Sequence, residues 1–98
     1  MKKEEERRIT IGKHTDASAL WNEQRRIWRE RRFIATLNIK TAGTMFFFSN
    51  SLQSRLLPNG SPKTYILLVE KTEDMHEIVR AVKRKHVDQT IIFSPSLQ

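Results

Sequence analysis

Cysteine is absent from this 98-residue chain. Disulfides, thiolate metal sites and a cysteine nucleophile are therefore excluded, and the lack of disulfides fits a reducing compartment. Glycine is scarce too: the three present are isolated, so no glycine-rich phosphate loop can form. The histidines His14, His76 and His86 make no His-x-x-x-His or His-Glu-x-x-His pair. No apolar run approaches the ~18 residues of a membrane span. The opening run, residues 1–8, lacks the apolar centre of a secretory signal and is too acidic for an ordinary transit peptide. A cytoplasmic location is expected, with an organelle matrix as the alternative. Catalysis needs a nucleophile with a base, or two convergent carboxylates. The carboxylates here fall in first helical turns, in the N-terminal run or among arginines, as capping and solubility require. A protein without enzymatic activity is expected.

What the chain does have is charge and periodicity. The formal charge is +7, which favours nucleic acid, acidic protein surfaces or anionic lipid as partners. With 38% hydrophobic residues, the chain can build one modest core. Residues 1–7 read as a charged tail and 8–98 as a single domain. Residues 8–13 alternate as a short strand. Thr15 or Asp16 can cap a helix that runs to about Arg32, with Ala17, Leu20, Ile27 and Trp28 on its inner face. Gln24 and Arg31 are weak points on that face, and Trp21 flanks it. Residues 33–40 change to period two and read as a strand. Thr41, Ala42 and Gly43 can bend it, and residues 44–49 continue it. Residues 50–57 are ambiguous, and 58–62, with two prolines, form a turn. Residues 64–70 are a strand. Thr72 caps a second helix whose buried stripe is Met75, Ile78, Val79 and Val82. Residues 90–93 make the last strand. The order β-α-β-β-α-β predicts an α+β, ferredoxin-like sandwich, with two helices on one face of an antiparallel sheet.

Met45 to Phe48 and Ile66 to Val69 are apolar at consecutive positions. Side chains alternate faces along a strand, so both faces of the sheet become apolar while the helices cover only one. A second subunit is the expected cover, and residues 50–57 folding across the face are the alternative. Phe46, Phe47, Phe48, Tyr65 and Leu67 are the expected subunit contacts. Trp21 and Trp28, seven apart, read as packing or contact residues. Arg25, Arg26, Arg29, Arg31 and Arg32 load the first helix, and Arg80, Lys83, Arg84 and Lys85 the second. If these merge into one patch, Arg25, Arg29, Arg32, Arg80, Lys83 and Arg84 would contact nucleic acid or an acidic partner. Bases at helix ends also complement the helix dipole with no partner at all. The RNA-recognition module shares this element order but stacks bases on central-strand aromatics. Here residues 9–11 have none and the third strand has only Tyr65, which excludes that module.

The run Arg32-Phe-Ile-Ala-Thr-Leu-Asn-Ile39 resembles the second-strand signature of the CutA divalent-cation tolerance family. Residues 63–72, apolar and ending in Lys71-Thr72, are similar to that family's third strand. Thr15-Asp16 stands at its first turn, and His86 where it often has a histidine after the second helix. The resemblance covers about residues 8–95. It implies a non-enzymatic homotrimer whose strands join across subunits, with copper or another divalent metal as ligand and His86 as the candidate donor. Read by itself, His86 is a helix-end histidine favoured by the dipole. The chain departs from the family in four places. Thr36 stands at the family's cysteine, and a hydroxyl is a poor ligand for a soft metal. Phe46-Phe47-Phe48 replaces a Tyr-Arg-Trp region. Residues 55–62 lengthen the hairpin. A proline-rich stretch and a last short helix are missing.

Overall fold

A computed structural model describes residues 6–29, 32–39, 44–57 and 63–96. Along the chain these form β1 (Arg7–Ile11), α1 (Ala17–Trp28), β2 (Phe33–Ile39), β3 (Ser54–Leu57), β4 (Lys63–Val69), α2 (Thr72–Arg84) and β5 (Gln89–Pro95). The Thr41–Gly43 bend, the 58–62 turn, Arg31 and most of the N-terminal tail lie outside the described residues.

The strands make one sheet in the order β1-β5-β2-β4-β3, antiparallel at every pairing. Each helix joins two parallel strands across a gap that a strand of the other unit fills: β5 between β1 and β2, and β2 between β4 and β5. The two crossovers step in opposite directions with opposite strand sense. One common hand therefore lays both helices on the same face. The result is the expected α+β ferredoxin-like sandwich with a different strand order. The first strand, central in the usual arrangement, is here an edge, and β2 takes the centre between β5 and β4.

The register separates the two faces. Ile11, Phe33, Ala35, Leu37, Ile39, Tyr65, Leu67, Val69, Ile91 and Phe93 point under the helices and are buried. Ile34, Thr36, Asn38, Thr64, Ile66, Leu68 and Ile92 point the other way and stay partly exposed.

Asp16 caps α1, its carboxylate accepting from the Ser18 and Ala19 N–H groups at 2.9 and 3.4 Å. The helix ends earlier than residue 32. Arg29 takes a left-handed conformation (φ 49°) and closes the last turn through its N–H to the Arg25 carbonyl. The inner face is Leu20, Trp21, Gln24 and Trp28, while Ile27 is 39% exposed. Trp21 and Ile27 thus exchange their expected roles. The reason is aromatic packing: Phe33 is met by Trp28 at 4.0 Å and by Trp21 at 5.8 Å between ring centroids. Two indoles fill more of the space over β2 and β5 than one isoleucine would.

α2 buries Met75, Ile78, Val79 and Val82 as its period dictates. Its cap differs from expectation, because Lys71 holds the cap position and Thr72 is the first helical residue. The capping acceptor is Asp74, whose carboxylate reaches back to the Glu70 and Lys71 N–H groups at 2.9 and 3.3 Å.

Residues 44–53 are not strand. Phe46 and Phe48 both turn toward Tyr65, at 6.1 and 5.7 Å between centroids, which strand alternation alone would allow. Ser49, however, is tied to α2 instead of to the sheet. Its backbone N–H and its hydroxyl both donate to the Glu77 carboxylate, the hydroxyl at 2.6 Å. Leu52 is buried in the same core. The segment therefore extends the helical layer, and only Ser54–Leu57 joins the sheet, as its outer edge.

Candidate interaction surfaces

Three of the expected subunit contacts are core residues. Phe46, Tyr65 and Leu67 lie on the helix-covered face and are 2%, 6% and 0% exposed. A surface role for them is corrected by this burial: the register turns Tyr65 and Leu67 inward, and the 44–53 segment carries Phe46 in with it. Phe48 packs partly against the same core. Phe47 alone stands out, 67% exposed, with the Lys85 ammonium 5.4 Å above its ring.

The open face of the sheet is where the apolar surplus lies. Residues 50–57 do not cross it, and among the described residues no element covers it. Cross-strand pairing sets one row across all five strands: Arg8, Ile92, Thr36, Ile66 and Arg55. Beside it Ile34 pairs with Leu68 and with Ser94. Threonine hydroxyls border the apolar centre: Thr10 and Thr90 share a hydrogen bond of 2.8 Å, and Thr64 donates to the Asn38 side chain at 2.9 Å. Strand spacing and length give the face roughly 500 Å² in plan. Threonine, asparagine, serine and arginine side chains take much of it, so the apolar patch itself, at Ile34, Ile66, Leu68 and Ile92, each only partly exposed, is smaller and within the ~300–600 Å² that monomers expose. Among the described residues the face carries no aromatic side chain.

A cavity of about 380 Å³ opens at one end of this face, lined by Arg8, Asn38, Asp88, Gln89 and Thr90 among others. The Gln89 amide donates to the Asn38 carbonyl at 3.0 Å and fixes this rim. Gly12 lies close by: a Cβ there would stand 2.7 Å from an Asp88 carboxylate oxygen, and that exposed side chain would have to shift.

The basic side chains do not merge into one patch. α1 delivers its last turn to the Phe33 end of the sheet and α2 to the Gln89 end. Phe33 pairs with Pro95, six residues from Gln89 along β5 and about 20 Å away. Arg25, Arg26 and Arg29, with Asn22, line a shallow groove on the outside of α1. Arg32 lies beyond it, exposed, in an ion pair with Glu70 at 2.9 Å. Arg80 and Arg84 are exposed on α2 and Lys83 half-buried.

His86 is exposed just after α2, in a left-handed conformation (φ 55°), its N–H bonded to the Lys83 carbonyl at 3.0 Å. His76 meets the Ser18 hydroxyl at 3.2 Å and bridges the helices. Among the described residues no three histidine, aspartate or glutamate side chains converge as a metal site. No described helix is long and apolar enough to cross a membrane. Sequence reasoning did not find the Arg8-to-Arg55 row, because it depends on strand order. The buried role of Asp74 had a signal, an acid three residues past the cap position.

Comparison with family models, curated proteins and solved structures finds no match to this chain.

Proposed function

We propose that this chain is a non-enzymatic assembly subunit, similar to the CutA family in forming a homotrimer through its sheet. The observation that carries the reading is the partly exposed apolar face centred on Ile34, Ile66, Leu68 and Ile92, which no element among the described residues covers. Burying it against further copies removes apolar area from water at about 25 cal/mol per Å². The helices then face outward. The metal part of the resemblance is narrower. It keeps copper or another divalent cation as the ligand the resemblance implies, with His86 as one donor, and among the described residues no further donors converge on it. The assembly role stands without it.

Light scattering at low and high salt tests the assembly. Three chains of 11.6 kDa give about 35 kDa, and Ile66→Lys, which places a charge on the open face, is expected to lower that mass to one chain without loss of helical signal. A wild-type monomer at micromolar concentration overturns the trimer.

A second reading is a basic scaffold subunit of a larger ribonucleoprotein or organellar complex. What favours it is the set of exposed arginines at the ends of both helices, on the outer layer of the same molecule.

A further inference from the structure

The groove on α1 differs in kind from the other charged surfaces. Asn22, Arg25 and Arg26 at i, i+3 and i+4 share one helical face, Arg29 at the left-handed cap lines the same groove, and all four are exposed. Glu23, the only carboxylate within α1, lies off this stripe and faces Arg7 at 3.6 Å. Asp16 is engaged as the cap. Among the described residues neither Arg26 nor Arg29 meets a carboxylate.

We propose that this stripe is a phosphate-contact surface for duplex nucleic acid, the assignment resting on Arg26 and Arg29. Seven residues of helix span about 10 Å. One strand of a duplex places a phosphate every ~3.4 Å of axis, so the stripe faces about three. Guanidinium groups suit phosphate oxygens because their planar forks bond in pairs. The helix dipole opposes an anion at this end, but it amounts to about half a charge, less than the guanidinium charges beside it. An acidic protein is a poorer fit. No apolar or aromatic residue lines the groove, and Ile27 lies outside it, whereas protein interfaces centre on such anchors. Single strands are a poorer fit as well. They need aromatic platforms for unstacked bases, and Trp21 and Trp28 are both buried against Phe33. Contact is therefore with the backbone and indifferent to sequence.

The inference rests on the second reading above and names its partner class and its helix. It does not depend on the trimer, since the salt dependence is read per bound chain. Fluorescence anisotropy of a short labelled DNA duplex is followed from about 50 to 200 mM salt. The variants are Arg26→Gln/Arg29→Gln on α1 and Arg80→Gln/Arg84→Gln on α2, each checked by circular dichroism. The α1 pair is expected to reduce the slope of log K against log salt by about 1.8, at ~0.9 per phosphate contact. The α2 pair is expected to reduce it by less. A fall under about 0.9 from the α1 pair, an equal or larger fall from the α2 pair, or tighter binding of a single strand of the same length overturns the assignment. In those cases the second reading survives with a different surface. No binding to either nucleic acid at about 50 mM salt removes nucleic acid from that reading as well.

Discussion

Gln24 is 1% exposed, and among the described residues neither its amide oxygen nor its amide nitrogen has a hydrogen-bond partner. The Trp21 indole N–H, one turn earlier, is in the same position. A buried amide without partners costs about 1–3 kcal/mol on mutational scales. Gln24→Met removes both polar atoms and keeps an unbranched chain of similar length. The helix propensities of the two residues are close, and so is the rotamer entropy lost on burial. The sulfur also gains favourable contact with the neighbouring indoles. The substitution is therefore expected to stabilise the fold by about 1–3 kcal/mol. For a domain of this size each 1 kcal/mol raises Tm by about 4–8 °C. The assay is urea unfolding followed by tryptophan fluorescence, with a thermal melt beside it. The midpoint should rise while the m-value stays constant. Gln24→Ala is the control. It removes the same polar atoms but leaves a cavity, so it should fall below the methionine variant. A Gln24→Met midpoint equal to or below wild type would refute the reasoning, because it would mean that the amide is fully paired in the native protein.

Two further predictions concern the helix ends. Asp74→Ala removes a buried carboxylate that accepts from two backbone N–H groups and complements the N-terminal dipole of α2. A loss of about 1–3 kcal/mol is expected in chemical denaturation, and a loss below about 0.5 kcal/mol would show that the cap is dispensable. Arg29→Gly relieves the left-handed conformation at φ 49° and should stabilise by about 0.5–1 kcal/mol, after the extra entropy that glycine loses on folding. A lower Tm than wild type would contradict it.

The parts that periodicity governs were legible from the residues. Met75, Ile78, Val79 and Val82 have one helical phase and no competitor, and residues 63–69, an apolar run bounded by turn residues, are strand with Tyr65, Leu67 and Val69 buried. Where the pattern fails, tertiary packing decides. The pattern places Ile27 on the stripe and Trp21 beside it, and the packing of Trp21 against Phe33 reverses the two. Phe46-Phe47-Phe48 has no period, since three consecutive aromatics fit a strand or a loop equally. The bonds from Ser49 to Glu77 settle it as a loop. The β-α-β-β-α-β order is compatible with more than one interleaving of its two units. The choice of β2 as the central strand, between β5 and β4, follows from long-range pairing that no local pattern encodes. The candidate surfaces inherit that uncertainty of the sequence. The arginines were visible, but their division between opposite ends of the sheet was not.

The position of β5 has a consequence for how the chain reaches its structure. Among the described strands β1 pairs with β5 alone, and the Thr10–Thr90 hydroxyl bond joins residues eighty apart in sequence. During synthesis β1 must wait for β5. A chain that lacks Gln89–Pro95 leaves β1 without a hydrogen-bonding neighbour and also strips one flank of β2. Closing such long loops makes folding slow relative to domains with local contacts. It also makes the process close to all-or-none: the N-terminal strand, the central strand and the C-terminal strand are secured in the same event.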